Sequence, residues 1–230
     1  MAKICAAVWD FNGTVDNSEH IRRNSIAVSL ADFGYEFRDS DYPEIMKRVG
    51  FAQPSDYICK LYGIADQQAF QAHWESRFGE ILDRDLALLP GVLKSLEQMR
   101  EAGLKLAVAS SAHRDYIAPA LTRLGVADRF EAVVTRDDIT GSGKPDPEVF
   151  HQAAVRLGVS TRDCVAIGDS AGDVIGAVSA GMKVIYVPGP YEVGRFSLNT
   201  VVTLPSLEHF NWEVIRQLEG PQVVSRERGY

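Results

Sequence analysis

The chain has 230 residues, 46% of them apolar and 24% charged, a balance that provides a sizeable core and excludes disorder as a description of the whole. Its formal charge is −7, from 24 Lys and Arg against 31 Asp and Glu. An acidic surface of this kind repels phosphate backbones and anionic lipid, so no nucleic-acid or membrane partner is expected, while a small anion in a local positive pocket stays open.

The first apolar run, Ile4–Phe11, is continuous rather than alternating, as in a strand buried on both faces of a parallel sheet. It is too short for a signal peptide or a membrane span, so a cytoplasmic location is expected. From Asn17 to Asp85 only helix-like segments follow, at Glu19–Phe33, Tyr42–Val49, Ser55–Leu61 and Gln67–Leu82. Strands and helices then alternate. Helices are expected at Val92–Glu101, Tyr116–Leu124, Val149–Leu157 and Val174–Ala180, and strands at Leu104–Ala109, Ala132–Thr135, Cys164–Ile167 and Lys183–Val187. Gly103, Gly125, Gly158 and Gly181 follow the four helices as stop signals. This order predicts an α/β fold, a doubly wound parallel sheet formed by residues 1–16 and 86–230, with residues 17–85 inserted as a helical domain. Cys5, Cys59 and Cys164 are scattered without metal or redox spacing and read as reduced thiols. The final Ser225–Tyr230 is polar and reads as a frayed end.

Ligands of open α/β sheets bind beyond the carboxyl ends of the strands, so the residues after each strand carry the functional reading. They are Asp10-Phe11-Asn12-Gly13-Thr14-Val15-Asp16, Ser110-Ser111-Ala112-His113, Gly141-Ser142-Gly143-Lys144-Pro145-Asp146-Pro147 and Gly168-Asp169-Ser170-Ala171-Gly172-Asp173. Asp10 and Asp169, from different strands, suit Mg²⁺, a hard ion that takes carboxylate, water and phosphate oxygens. Ser110 can donate to a phosphate oxygen, and Lys144 can supply positive charge and restrain an aspartate nucleophile. An aspartate attacking phosphorus forms an aspartyl-phosphate and divides the transfer into two steps. The Lys144–Pro147 segment also reads as a helix start, with Asp146 capping and Pro147 in the first turn.

These four motifs, in this order, resemble the haloacid dehalogenase (HAD) superfamily over roughly Lys3 to Val187, with a helical cap after the first strand. The Gly-Asp-Ser-x-x-Asp form of the last motif resembles the phosphoglycolate phosphatase-like and sugar-phosphatase branch. The resemblance implies a Rossmann-like core and an enzyme that hydrolyses a small phosphorylated metabolite, as monomer or homodimer, with Mg²⁺ as cofactor. It makes Asp10 the nucleophile and, with Asp169 and the backbone carbonyl of residue 12, a metal ligand. Asp173 is implied in the immediate surroundings of the metal. Ser110, Ser111, Gly13 and Lys144 are implied in phosphate binding, and Thr14 in ordering the first loop. In capped members the insert closes over the site and selects the leaving group, and Met46–Gln53 matches the substrate-reading loop. There Arg48 or Lys47 would meet a second anionic group and Gln53 a hydroxyl. His20 and His113 are further candidates near the substrate.

Position 12 departs from the pattern. The family has an aspartate there that protonates the leaving alcohol and later activates water, whereas this chain has Asn12. A carboxamide keeps the backbone carbonyl but does neither job, and losing general acid–base catalysis typically costs about 10²–10⁴ in rate. A slow or substrate-restricted phosphatase is therefore expected. Three readings stay open: natural weak activity or use of another acid such as Asp16, a change that traps the substrate or phospho-enzyme, or a phosphate-ligand binder without turnover. The phosphomutase branch needs the aspartate missing at position 12, the phosphonatase branch needs a cap lysine for which Lys47 is poorly placed, and the dehalogenase branch lacks the metal site.

Overall fold

The computed structural model describes residues 3–46, 54–190 and 196–220. The chain divides into two compact units, Met1–Asp16 with Leu88–Tyr230, and Asn17–Ala87. In chain order, strand β1 is Ala6–Trp9, and helices α1 (Ser18–Asp32), α2 (Tyr42–Met46), α3 (Pro54–Tyr62) and α4 (Gln67–Asp85) belong to the second unit. The first unit resumes with α5 (Val92–Glu101), β2 (Lys105–Ala109), α6 (Arg114–Arg123), β3 (Ala132–Val134), α7 (Glu148–Leu157) and β4 (Cys164–Gly168). It ends with α8 (Ala171–Ser179), β5 (Lys183–Tyr186), β6 (Val201–Thr203) and α9 (Trp212–Glu219).

The described strands form one parallel sheet in the order β3-β2-β1-β4-β5-β6. Its apolar runs are continuous because both faces are covered. On one face Ala6, Val8, Ala107, Ala109 and Ala166 pack with Val149, Phe150, Ala153 and Ala154 of α7 and Val174 and Ala177 of α8. The alternate residues Ala7, Trp9, Leu106, Val108 and Ile167 are equally buried. The glycines read as helix stops, at 103, 125, 158 and 181, all adopt positive φ.

The doubly wound α/β fold is as expected. The sequence reading missed β6 and α9. β6 has only three residues, none fully buried, at the edge of the sheet, so it carries no apolar run to detect. α9 begins instead from a cap, Asn211 accepting from the Glu213 N–H at 2.9 Å. A smaller difference concerns α7: its N-cap is Pro147, while Asp146 accepts from the Glu148 N–H at 2.9 Å. No described helix is long and apolar enough to cross a membrane.

Within the second unit, α1 packs along α4: the Trp74 indole donates to Ser25 Oγ at 2.9 Å, and Arg77 and His73 pair with Asp32. Asn17 joins its two ends, exchanging backbone and side-chain hydrogen bonds with Asp85 and Ala87. Of the expected substrate-selecting residues, Arg48 and Gln53, with Lys47, lie outside the described residues.

The switch point of the sheet is β1, with β2 on one side and β4 on the other, which puts the residues after β1 and β4 at the same edge. The connection after β3, which leads to Lys144, is tied down by Asp138. Its carboxylate accepts from the Thr135 N–H (2.8 Å) and hydroxyl (2.9 Å) and pairs with Arg114 (2.5 Å) and Arg156 (2.6 Å). Burial works against ionisation of Asp138, yet Arg156 and Thr135 outweigh it and hold the carboxyl down to about 2. A carboxylate with a lowered folded pKa stabilises above its unfolded value of 3.8, and that contribution is lost as pH falls through about 2. Asp138→Asn is expected to lower unfolding free energy by on the order of 2 kcal/mol at pH 7, with the gap to the parent shrinking as urea unfolding is repeated toward pH 2.

Candidate active site

Asp10 continues the β1–β4 pairing one residue beyond the strand, its N–H donating to the Ile167 carbonyl at 2.8 Å. The chain then doubles back, because the Phe11 carbonyl accepts from the N–H groups of Thr14, Val15 and Asp16. This turn brings the Thr14 hydroxyl to Asp169 Oδ1, to which it donates at 3.3 Å.

The last motif folds around a capping box. Ser170 is the N-cap of α8 and accepts from the Asp173 N–H at 3.2 Å, while Asp173 Oδ2 accepts from the Ser170 N–H (3.1 Å) and hydroxyl (2.5 Å). The Ser-x-x-Asp spacing thus fixes one carboxylate oxygen of Asp173 and turns the other, Oδ1, to within 2.6 Å of Lys144 Nζ. Position 168 must be glycine, since a Cβ there would lie 2.4 Å from the Asp173 Cβ and 2.5 Å from its Cγ.

Lys144 arrives from the opposite side. Its N–H donates to Ser111 Oγ at 3.1 Å, its peptide bond to Pro145 is cis, and its Nζ lies 5.3 Å from the centroid of the Phe150 ring. The ammonium donates to Asp10 Oδ1 and pairs with Asp173. Ser110 is buried, and its Oγ accepts from the Ala112 N–H at 3.1 Å, which leaves the hydroxyl hydrogen as a donor.

Asp10, Asp169 and Asp173 are all buried, with carboxylate oxygens within 4.8 Å of one another. Burial, and then the charge of Asp173, push the Asp10 carboxyl up to about 7 in spite of Lys144. Burial also disfavours the Lys144 ammonium, but Asp10 and Asp173 outweigh it and hold the lysine above its ordinary value. Three carboxylates facing one ammonium leave the cluster short of positive charge. An all-carboxylate donor set in that condition fits a hard divalent cation such as Mg²⁺.

The structure therefore brings Asp10, Lys144, Asp169 and Asp173 together. Asp173, expected in the surroundings of a metal, presents an oxygen within the cluster itself. Ser111 stands as the anchor of the Lys144 backbone, and the Gly13 N–H is engaged by the Asp16 carbonyl and Oδ1, both at 3.2 Å. His113 is exposed at the N-cap of α6, its Nδ1 2.6 Å from Asp137 Oδ1, and His20 is exposed in the second unit. Asn12 is half-buried, and its Nδ2 donates to the Tyr116 hydroxyl at 3.2 Å. The sequence reading missed Tyr116 and Phe150. Both occupy helix faces where an aromatic residue signals only packing.

Residues 7–187 match the haloacid dehalogenase-like hydrolase family. A glyceraldehyde 3-phosphate phosphatase of Methanopyrus kandleri is 31% identical over 201 residues, covering 80% of this chain and 84% of the relative. The chain belongs to this family. Hexitol phosphatase B of Escherichia coli is 27% identical over 190 residues, covering 82% of this chain and 85% of that one. The crystal structure of CbbY from Rhodobacter sphaeroides in complex with phosphate has the same fold, with a TM-score of 0.71 at 23% identity over 90% of this chain and 96% of that one. Membership in a hydrolase family with phosphatase-named relatives makes this HAD chain an enzyme of phosphatase type.

The charge balance of the cluster makes Lys144 a residue whose loss is felt in stability. Without it Asp10 and Asp173 are buried and uncompensated, a situation that costs about 3–5 kcal/mol. Lys144→Met, unfolded by urea in chelator, is expected to show a loss of that order at pH 8. The loss should shrink toward pH 5, below the Asp10 pKa of about 7 in the parent and the higher one left once Lys144 is gone, where Asp10 carries a proton in both. A loss independent of pH contradicts the charge argument.

Proposed function

We propose that this chain is a Mg²⁺-dependent phosphomonoester hydrolase of a small phosphorylated metabolite that works through an aspartyl-phosphate at Asp10, with turnover slowed by Asn12. The observation that carries the reading is the ion pair of Lys144 with Asp10, inside a buried carboxylate cluster at the switch point of the sheet. Lys144 favours the ionised form of Asp10, the form that attacks. It also supplies charge against the phosphoryl oxygens, which Ser110 meets as a hydrogen-bond donor. Asp10, Asp169, Asp173 and the carbonyl of Asn12 would hold Mg²⁺, which when bound supplies further positive charge to the phosphate.

In the first step an Asp10 oxygen forms a bond to phosphorus as the ester P–O bond breaks, and the leaving oxygen takes a proton. In the second, water attacks the aspartyl-phosphate, releasing phosphate and the free Asp10 carboxylate. The Asn12 amide has no acidic proton to give in the first step and no basic oxygen to remove one in the second. Both transfers fall to water, which is the physical basis for slow turnover. The phosphatase names of the relatives support a phosphate monoester as substrate.

The test is phosphate release from a panel including a hexitol phosphate, glyceraldehyde 3-phosphate and glycolate phosphate. Release is expected to require Mg²⁺, to stop on chelation, and to vanish in Asp10→Asn and Ser110→Ala. Saturable phosphate binding with no release from any ester favours the alternative, a phosphate-ligand binder on the same fold.

A further inference from the structure

Asn12 stands in a hydrogen-bond chain. Its Nδ2 donates to the Tyr116 hydroxyl at 3.2 Å, and that hydroxyl donates to Asp16 Oδ2 at 2.9 Å. Asp16 is fully buried, and its other carboxylate oxygen accepts from the Gly13 N–H. The Tyr116 ring stands edge-on to Phe11, with centroids 6.2 Å apart.

A count of hydrogens sets the polarity of this chain. A carboxylate only accepts, and a phenol has one hydrogen. With that hydrogen on Asp16, the Tyr116 oxygen can only accept from position 12. An amide donates there; an ionised carboxylate would set acceptor against acceptor and a second negative charge near Asp16. We propose that Tyr116 and Asp16 select a neutral donor at position 12, Tyr116 acting as a positioning residue that fixes the Asn12 amide with its nitrogen toward the phenol. Asn12 is then part of a matched set of three residues rather than an isolated loss of a carboxylate. An aspartate restored at position 12 alone fits the chain only when it holds a proton, which costs stability at neutral pH.

The charge-exchanged pair tests this directly. Asn12→Asp with Asp16→Asn reverses the chain, Tyr116 donating to position 12 and accepting from position 16, while the position 16 carbonyl still accepts from Gly13. In thermal unfolding in chelator, each single substitution is expected to lower Tm by roughly 3–8 °C, and the double variant to return to within about 2 °C of the parent. In a Tyr116→Phe background most of that recovery should disappear. Additive effects of the two substitutions, or equal recovery without the phenol, overturn the proposal.

The activity arm rests on the phosphatase reading. Phosphate release by the double variant should exceed that of Asn12→Asp alone by about tenfold, a fraction of the roughly 10²–10⁴ that general acid–base catalysis supplies. In the Tyr116→Phe background the gain from Asn12→Asp should no longer depend on residue 16. Thermal coupling through Tyr116 with every variant silent toward phosphate esters supports the hydrogen-bond chain and counts against the hydrolase reading.

Discussion

Three buried carboxylates cluster at the carboxyl edge of the sheet with one ammonium, which pairs with two of them, and the rest of this site is arranged around that imbalance. Isolated charges are costly away from water, so a cluster of this kind persists only when its neighbours hold each group in place. Lys144 partly compensates two of the carboxylates, yet burial and Asp173 still push Asp10 up to about 7. The same shortage of positive charge makes the cluster able to hold a divalent cation.

The fold supplies the placement. β1 and β4 are neighbours at the switch point, so Asp10 and Asp169 leave the sheet side by side, with Asp10 still hydrogen-bonded to Ile167. A capping box sets Asp173, and the absence of a side chain at Gly168 gives it room. Lys144 comes from a connection anchored by Asp138 at one end and by Ser111 at the lysine itself. Each anchor uses a short polar side chain satisfying backbone groups, the cheapest way to fix a loop beside a packed sheet.

The fold class is legible in the sequence because a doubly covered parallel sheet writes itself as continuous apolar runs separated by glycine-stopped helices. β6 escapes because a three-residue, half-exposed edge strand has no run to read. The grouping of Asp10, Lys144, Asp169 and Asp173 is legible for a related reason: each follows a strand, and all strands of a parallel sheet end at one edge. The capping role of Asp173 also has a local signal, its Ser-x-x-Asp spacing, which the sequence reading did not use. Tyr116 is different. Its hydroxyl joins Asn12 to Asp16 over about a hundred residues of chain, and no local pattern marks a tyrosine on a helix as a hydrogen-bond partner. The helix face of α6 decides it, and that is fixed only by packing, here against Phe11.

On the proposed reading Asp10 is the group that reacts, and Asn12 is the reason its covalent state should last long enough to be seen. The most direct measurement is acid-quenched peptide mapping by mass spectrometry after mixing the Mg²⁺-loaded protein with a hydrolysed ester. The account predicts one added phosphoryl group on the peptide that contains Asp10, and none in Asp10→Asn. Phosphate released without modification of that peptide at any quench time would contradict it.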